Sequence, residues 1–372
     1  MGLTSNNTLA LAVLSAVLLF AGTVWLWPRL AGRGWRPVGG RVGLLLATQL
    51  TLFAAVGLAA NQAFGFYASW ADLLGQEKEQ GVVVDHTPGD GPLEVVGTRR
   101  VPGSGGVRPQ AGGRIQQVEI VGRTTGIATP AYVYLPPEYF QPRYRTRTFP
   151  TAVVLTGYPG TASALVEKLR YPGTALELAR EGRARPMILV MLRPTVAPPR
   201  DTECVDIPGG PQTESFFARD LPDALRAHYR VAEKPGGLGI IGNSTGGYCA
   251  LKIAMHHPDV YAAGAGLSAY YKAPIDATTG DLFQGDEELR NRADLLWYLK
   301  HERAPDTSLL VTSSRSGESN YQDTLRFIER VKATGRTRIS SIILESGGHN
   351  FNTWRREIPA TLEWIGGRLN GN

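Results

Sequence analysis

Residues 238–256 read LGIIGNSTGGYCALKIAMH, and the rest of the chain is organised around how Ser244 is read. The serine lies two positions from Gly242 and two from Gly246. Gly-x-Ser-x-Gly alone is a weak pattern in a chain with 44 glycines. Its surroundings make it specific. Leu238–Ile241 has the composition of a buried strand, and YCALKIAMHH that of a helix. A strand that turns straight into a helix holds its serine on a strained bend, where side chains two residues away would clash. The helix start also offers free N–H groups and a positive dipole end to negative charge. These residues predict Ser244 as a nucleophile, with Gly242 and Gly246 as the small residues of the bend.

Such a nucleophile needs partners in the chain order Ser, Asp or Glu, His. The chain has six histidines. His86 falls in a Gly/Pro-rich stretch, and His228 and His301 fall on helices. His256 and His257 end the helix after Ser244, where imidazoles suit the C-terminal dipole. A metal pair is the rival reading, but adjacent helical residues do not face each other. His349, in ESGGHNFNTW, follows the last predicted strand on a Gly-Gly loop, and it is predicted as the general base. Glu318, four residues past the strand TSLLVTSS (307–314), is predicted as the acid that orients it. Asp323 is the nearest rival but sits inside the next helix. An oxyanion hole needs two backbone donors. The Thr245 N–H and the Tyr158 N–H are predicted, the latter in LTGYPGT, where Gly157 lets the backbone turn toward the serine.

From Arg114 onward, strands alternate with helices. IQQVEIVG and AYVYLP read as antiparallel neighbours. TAVVLTG (151–157) and PMILVML (186–192) read as short apolar, buried strands, and GLGIIGN, AAGAGLSAY (262–270), TSLLVTSS and SSIILESGG (340–348) as further strands. Helices are predicted near 162–180, 217–229, 286–300, 320–334 and 354–369. Short, wholly apolar strands alternating with helices predict a mostly parallel, doubly wound sheet covered on both faces.

The N-terminal part is different in kind. Leu9–Trp27 and Val42–Ala60 are uncharged apolar runs about long enough to cross a bilayer. PRLAGRGWRPVGGR between them carries Arg29, Arg33, Arg36 and Arg41. Trp25, Trp27 and Trp35, then Phe64, Phe66, Tyr67 and Trp70, sit where an interfacial aromatic belt belongs. Residues 1–75 are therefore expected to hold two transmembrane helices (about 9–27 and 42–60). A cleaved signal peptide is the rival, and the first run lacks the basic approach of one. The arginines place the connecting loop in the cytoplasm and both chain ends outside. Residues 76–113 are expected as a Gly/Pro-rich tether, and 114–372 as the catalytic domain. Apolar residues make up 43% of the 372, enough for one large core, and the net charge of +6 is partly the arginine loop. No nucleic-acid signature, zinc spacing or repeat is present, so no nucleic-acid partner, metal or cofactor is expected.

GNSTGGYCALKIAMHHPDVYAAGAGLSAYY (242–271), DTECVD (201–206), FFARDLPDALRAHYRV (216–231) and GGHNFNTWRR (347–356) resemble the serine esterases of the esterase D type. That superfamily includes the antigen 85 mycolyltransferases, and the likeness is strongest to membrane-anchored actinobacterial members. It covers about residues 114–369 and implies an α/β-hydrolase fold with Ser244, Glu318 and His349 as the triad. Where the family often has His-Gly in the loop after its third strand, this chain has Thr156-Gly157. Cys204 and Cys249 both fall near the elbow; a bridge is expected if the domain lies outside the cytoplasm, with two buried thiols as the alternative. The loop around Cys204 also carries Asp201, Glu203 and Asp206 and is expected as a wall of the substrate cleft. The expected activity is hydrolysis of carboxylic esters at the membrane through an acyl-enzyme. An acyltransferase acting on cell-envelope lipids or glycans is the alternative, and a binding protein on a hydrolase fold the third reading. The expected partners are an ester or acyl-lipid substrate and the membrane.

Overall fold

The computed structural model describes residues 5–64, 70, 91–101, 108–196, 198, 200–233 and 236–371. Phe66, Tyr67 and His86, with much of the stretch 76–113, lie outside the described residues. The chain forms two compact units, divided between residues 85 and 86.

In the first unit, helices Asn6–Leu26 and Trp35–Phe64 pack as a hairpin. Both are long and apolar enough to cross a membrane. Thr23 Oγ and Thr48 Oγ meet at 3.0 Å between them, while Leu18, Phe20, Leu50 and Phe53 are exposed. Around the turn, guanidinium groups lie over indole rings: Arg29 over Trp25, Arg36 over Trp35 and Arg41 over Trp27.

The second unit is built on one nine-stranded sheet, in the order β1-β2-β3-β5-β4-β6-β7-β8-β9. The strands are β1 (Leu93–Arg99), β2 (Arg114–Val121), β3 (Ala128–Leu135), β4 (Thr151–Leu155), β5 (Ile188–Leu192), β6 (Leu238–Asn243), β7 (Ala263–Leu267), β8 (Ser308–Ser316) and β9 (Arg338–Ser346). The first three are antiparallel, β3 meets β5 antiparallel, and β5 through β9 run parallel. Strands β4 to β7 are buried throughout. Their side chains feed two cores: Val153, Leu155 and Ile240 enter one, and Ala152, Val154 and Ile241 the other. This two-faced burial is why the strands read as unbroken apolar runs. Chain order reverses at β4, which has β5 on one side and β6 on the other. Crevices beyond the carboxyl ends of strands at such a reversal are where doubly wound sheets place their sites.

Three expectations change. Residues 93–99, expected as tether, form β1 at the sheet edge, with Leu93 and Val101 buried. The alternation in LEVVGTR fits an edge strand with one covered face, and its Gly/Pro-rich flanks obscured it. The helix expected over 162–180 is two, Ala162–Glu167 and Tyr171–Arg180, broken at Arg170 with φ 54°. The helix expected over 286–300 is also two, Glu287–Arg292 and Leu295–His301. Asp294 caps the second by accepting from the Leu296 and Trp297 N–H groups.

Candidate active site

Ser244 sits between β6 and the helix Thr245–His256 with φ 56° and ψ −124°. That left-handed backbone is costly for a residue with a side chain. Close packing holds it in place. A Cβ on Gly242 would lie 2.0 Å from the Gly246 carbonyl oxygen, and one on Gly246 would lie 2.3 Å from the Thr156 carbonyl oxygen. Neither position has room for a side chain. The Ser244 N–H is tied to the Leu267 carbonyl at 2.9 Å.

His349 lies on the loop after β9, ahead of the helix Phe351–Gly366, which Asn350 caps. Its Nε2 is 2.8 Å from Ser244 Oγ. Burial lowers the His349 pKa below its usual 6.5, and the Glu318 carboxylate works against that shift. The imidazole is thus neutral at pH 7 and able to accept a proton.

Glu318 leaves the end of β8 past Gly317, whose φ of 97° suits glycine. A Cβ on Gly317 would lie 2.2 Å from the Gly347 carbonyl oxygen, so the loops bearing Glu318 and His349 touch here. Glu318 acts on the imidazole electrostatically, and no direct hydrogen bond joins the two residues in this structure. Its Oε1 instead accepts from Ser268 Oγ. Ser268 Oγ in turn accepts from Trp354 Nε1 at 2.9 Å. Trp354 also meets the His349 ring edge-on at 5.2 Å. Asp323, the rival acid, pairs with Arg326 on an exposed helix face.

The loop after β4 passes against Ser244: a Cβ on Gly157 would lie 2.9 Å from Ser244 Cβ. This carries Tyr158 to the serine's side of the sheet, while Thr245 opens the following helix.

Cys204 and Cys249 form a disulfide with Cα atoms 5.6 Å apart. It fastens the loop after β5 to the helix that follows Ser244. Lys252 reinforces the same joint, donating to the Cys204 carbonyl at 2.6 Å and to Glu214 Oε2 at 2.6 Å. His256 Nδ1 and His257 Nε2 both reach Glu214 Oε1, at 2.9 and 2.8 Å. These histidines were expected only as helix-end caps. Their rings instead converge on one half-buried carboxylate, that of Glu214, which is distant from them in sequence. Burial alone would raise the Glu214 pKa; the Lys252 charge and the His256 contacts hold it well below the usual range.

On the expected cleft wall, Asp201 and Glu203 are buried. Burial raises the Asp201 carboxyl to about 6. Burial and the Asp201 charge raise Glu203 to about 8. Tyr270 OH lies 2.6 Å from each Glu203 oxygen. Asp206 plays a local part, accepting from the Ser215 N–H and hydroxyl.

Sequence reasoning missed Ser268, Trp354, Tyr270 and Glu357. The first three lie in GLSAYY and GGHNFNTWRR, segments already singled out by resemblance. Glu357 is fully buried in the last helix, accepting from Thr312 Oγ1 at 2.9 Å. Burial and the Glu318 charge raise its carboxyl to about 8, against the Thr312 hydrogen bond.

Residues 123–365 match the sequence profile of the family described as "Putative esterase". The chain belongs to this esterase family. It has an α/β-hydrolase-like fold. An uncharacterized protein of Corynebacterium glutamicum is 25% identical over 273 residues, which cover 69% of this chain and 62% of that protein's length. Diacylglycerol acyltransferase/mycolyltransferase Ag85A of Mycobacterium ulcerans is 25% identical over 170 residues, 41% of this chain and 50% of that protein. Among solved structures, an S-formylglutathione hydrolase from Agrobacterium tumefaciens matches with a TM-score of 0.57 at 17% identity. That match covers 74% of this chain and all of the other, and at such identity it speaks to the fold.

Proposed function

We propose that this esterase-family chain is a membrane-anchored serine esterase, with Ser244, Glu318 and His349 as its triad and its catalytic unit outside the cytoplasm. The 2.8 Å pairing of Ser244 Oγ with His349 Nε2 carries the reading. In it, Ser244 Oγ attacks the ester carbonyl carbon as His349 Nε2 takes the hydroxyl proton. The Glu318 carboxylate stabilises the resulting imidazolium, which forms where burial otherwise disfavours charge. The Thr245 and Tyr158 N–H groups receive the oxyanion. The tetrahedral intermediate collapses to the acyl-enzyme, and the leaving alcohol takes the proton from His349. Water, deprotonated by the same imidazole, then releases the acid and regenerates Ser244. The family match supports ester chemistry. The apolar hairpin supports the anchor, and its arginine-rich turn supports a topology with both chain ends outside.

Acyl transfer to a hydroxyl other than water is the second reading, favoured by the partial likeness to Ag85A. Product analysis with a short-chain ester, with and without a sugar acceptor, separates the two. Free acid alone supports the esterase, and an acylated sugar supports the transferase. Protease added to intact cells should digest the catalytic unit; full protection contradicts the orientation.

A further inference from the structure

At the opposite end of the sheet from Ser244, a cleft of about 780 Å³ gathers four guanidinium groups. It is lined where strands begin: Gly236 precedes β6, Ala262 precedes β7, Asp306 precedes β8, and Arg338 opens β9. Ser244, Glu318 and His349 follow the other ends of β6, β8 and β9. The cleft is therefore separate from the candidate active site.

Its charged lining is Arg303, Arg336, Arg338 and Arg368 against Asp259 and Asp306, four positive groups and two negative. Arg338 is the one of the four with a carboxylate in reach among the described residues, Asp306 at 3.4 Å. Arg368 is held in place by its own helix end, with its guanidinium 4.2 Å from the Trp364 ring centroid and NH1 donating to the Trp364 carbonyl at 3.0 Å. Burial, and then the Arg338 charge, lower its pKa. Arg338 and Arg368 thus share one concavity in which Arg338 alone of the two has a carboxylate in reach among the described residues.

We propose that this cleft binds a phosphate-bearing anion of the size of a phosphorylated polyol or a lipid headgroup. Guanidinium forks match phosphate oxygens in charge and in bidentate geometry. A dianion would balance the excess of two positive charges and offset the repulsion between Arg338 and Arg368. The volume falls in the range of small-molecule sites. The phosphate can come from a free solute or from an anionic lipid, and the test separates these sources.

The full chain in phosphatidylcholine nanodiscs is titrated calorimetrically with inorganic pyrophosphate. Its capture by phosphatidylcholine vesicles, with and without phosphatidylglycerol, is measured in parallel. Wild type is compared with Arg338→Gln/Arg368→Gln and, as a second pair from the same lining, Arg303→Gln/Arg336→Gln. Unchanged thermal unfolding identifies the variants that remain folded. Pyrophosphate binding that weakens at least about tenfold in a folded pair supports a free phosphate ligand. Phosphatidylglycerol-dependent capture lost in the same pair supports a headgroup. No binding of either probe by wild type, or binding that both folded pairs leave unchanged, overturns the proposal.

Discussion

Ser244 Oγ and His349 Nε2 stand 2.8 Å apart although 105 positions separate them in the chain. Two loops at the carboxyl end of the parallel strands make that meeting, and neither residue's immediate neighbours could do it alone. The contact sets a directional expectation for pH. Because burial lowers the His349 pKa, the acid limb of kcat/KM should have its midpoint below pH 6.5. Glu318→Gln removes the charge that opposes this shift, so it should move the limb lower still and cut kcat/KM by roughly 10²–10⁴-fold. A limb that moves upward in this variant contradicts the role given to Glu318.

Ser268 holds Glu318 and is itself held by Trp354. Ser268→Ala should lower kcat about tenfold with little change in KM, since it loosens the acid without touching the substrate. Steady-state kinetics on a short-chain ester reads both. A change in KM alone would place Ser268 in the substrate cleft instead.

The elbow was legible because its requirements are local: a strand, two glycines and a helix start lie within nineteen residues of sequence. Glu318 and His349 were legible by chain order and by position after strands. The link through Ser268 was not, because it depends on β7 and β8 ending side by side, a pairing no single segment states. The same limit explains Glu214, which draws Lys252 and two histidines from 38 to 43 positions away. β1 was obscured for another reason, since its seven residues lie in a stretch whose composition reads as linker.

The Cys204–Cys249 bridge closes a sequence separation of 45. A loop of that length is worth about 2–4 kcal/mol to the folded state. Reduction, or Cys204→Ala/Cys249→Ala, should lower the unfolding midpoint accordingly. Alkylation without reductant should add no mass to either cysteine; label on both would contradict the bridge.

Glu357 and Glu203 are both raised from an ordinary value of 4.5 to about 8. Their folded-state pKa values exceed the unfolded ones, so the folded chain keeps protons that the unfolded chain releases. That stabilisation is complete below about pH 4.5 and is lost as the pH rises through about 8. Denaturant midpoints should fall across this window, and Glu357→Gln should flatten the fall. A variant with the wild-type slope would show that Glu357 does not hold the proton.

The central claim is that Ser244 is the acyl-accepting nucleophile, and covalent labelling reads it most directly. A fluorophosphonate probe should modify the folded wild-type chain at Ser244, as located by peptide mass, and leave folded Ser244→Ala unmodified. Label retained by Ser244→Ala, or no label on an active wild type, would contradict the account.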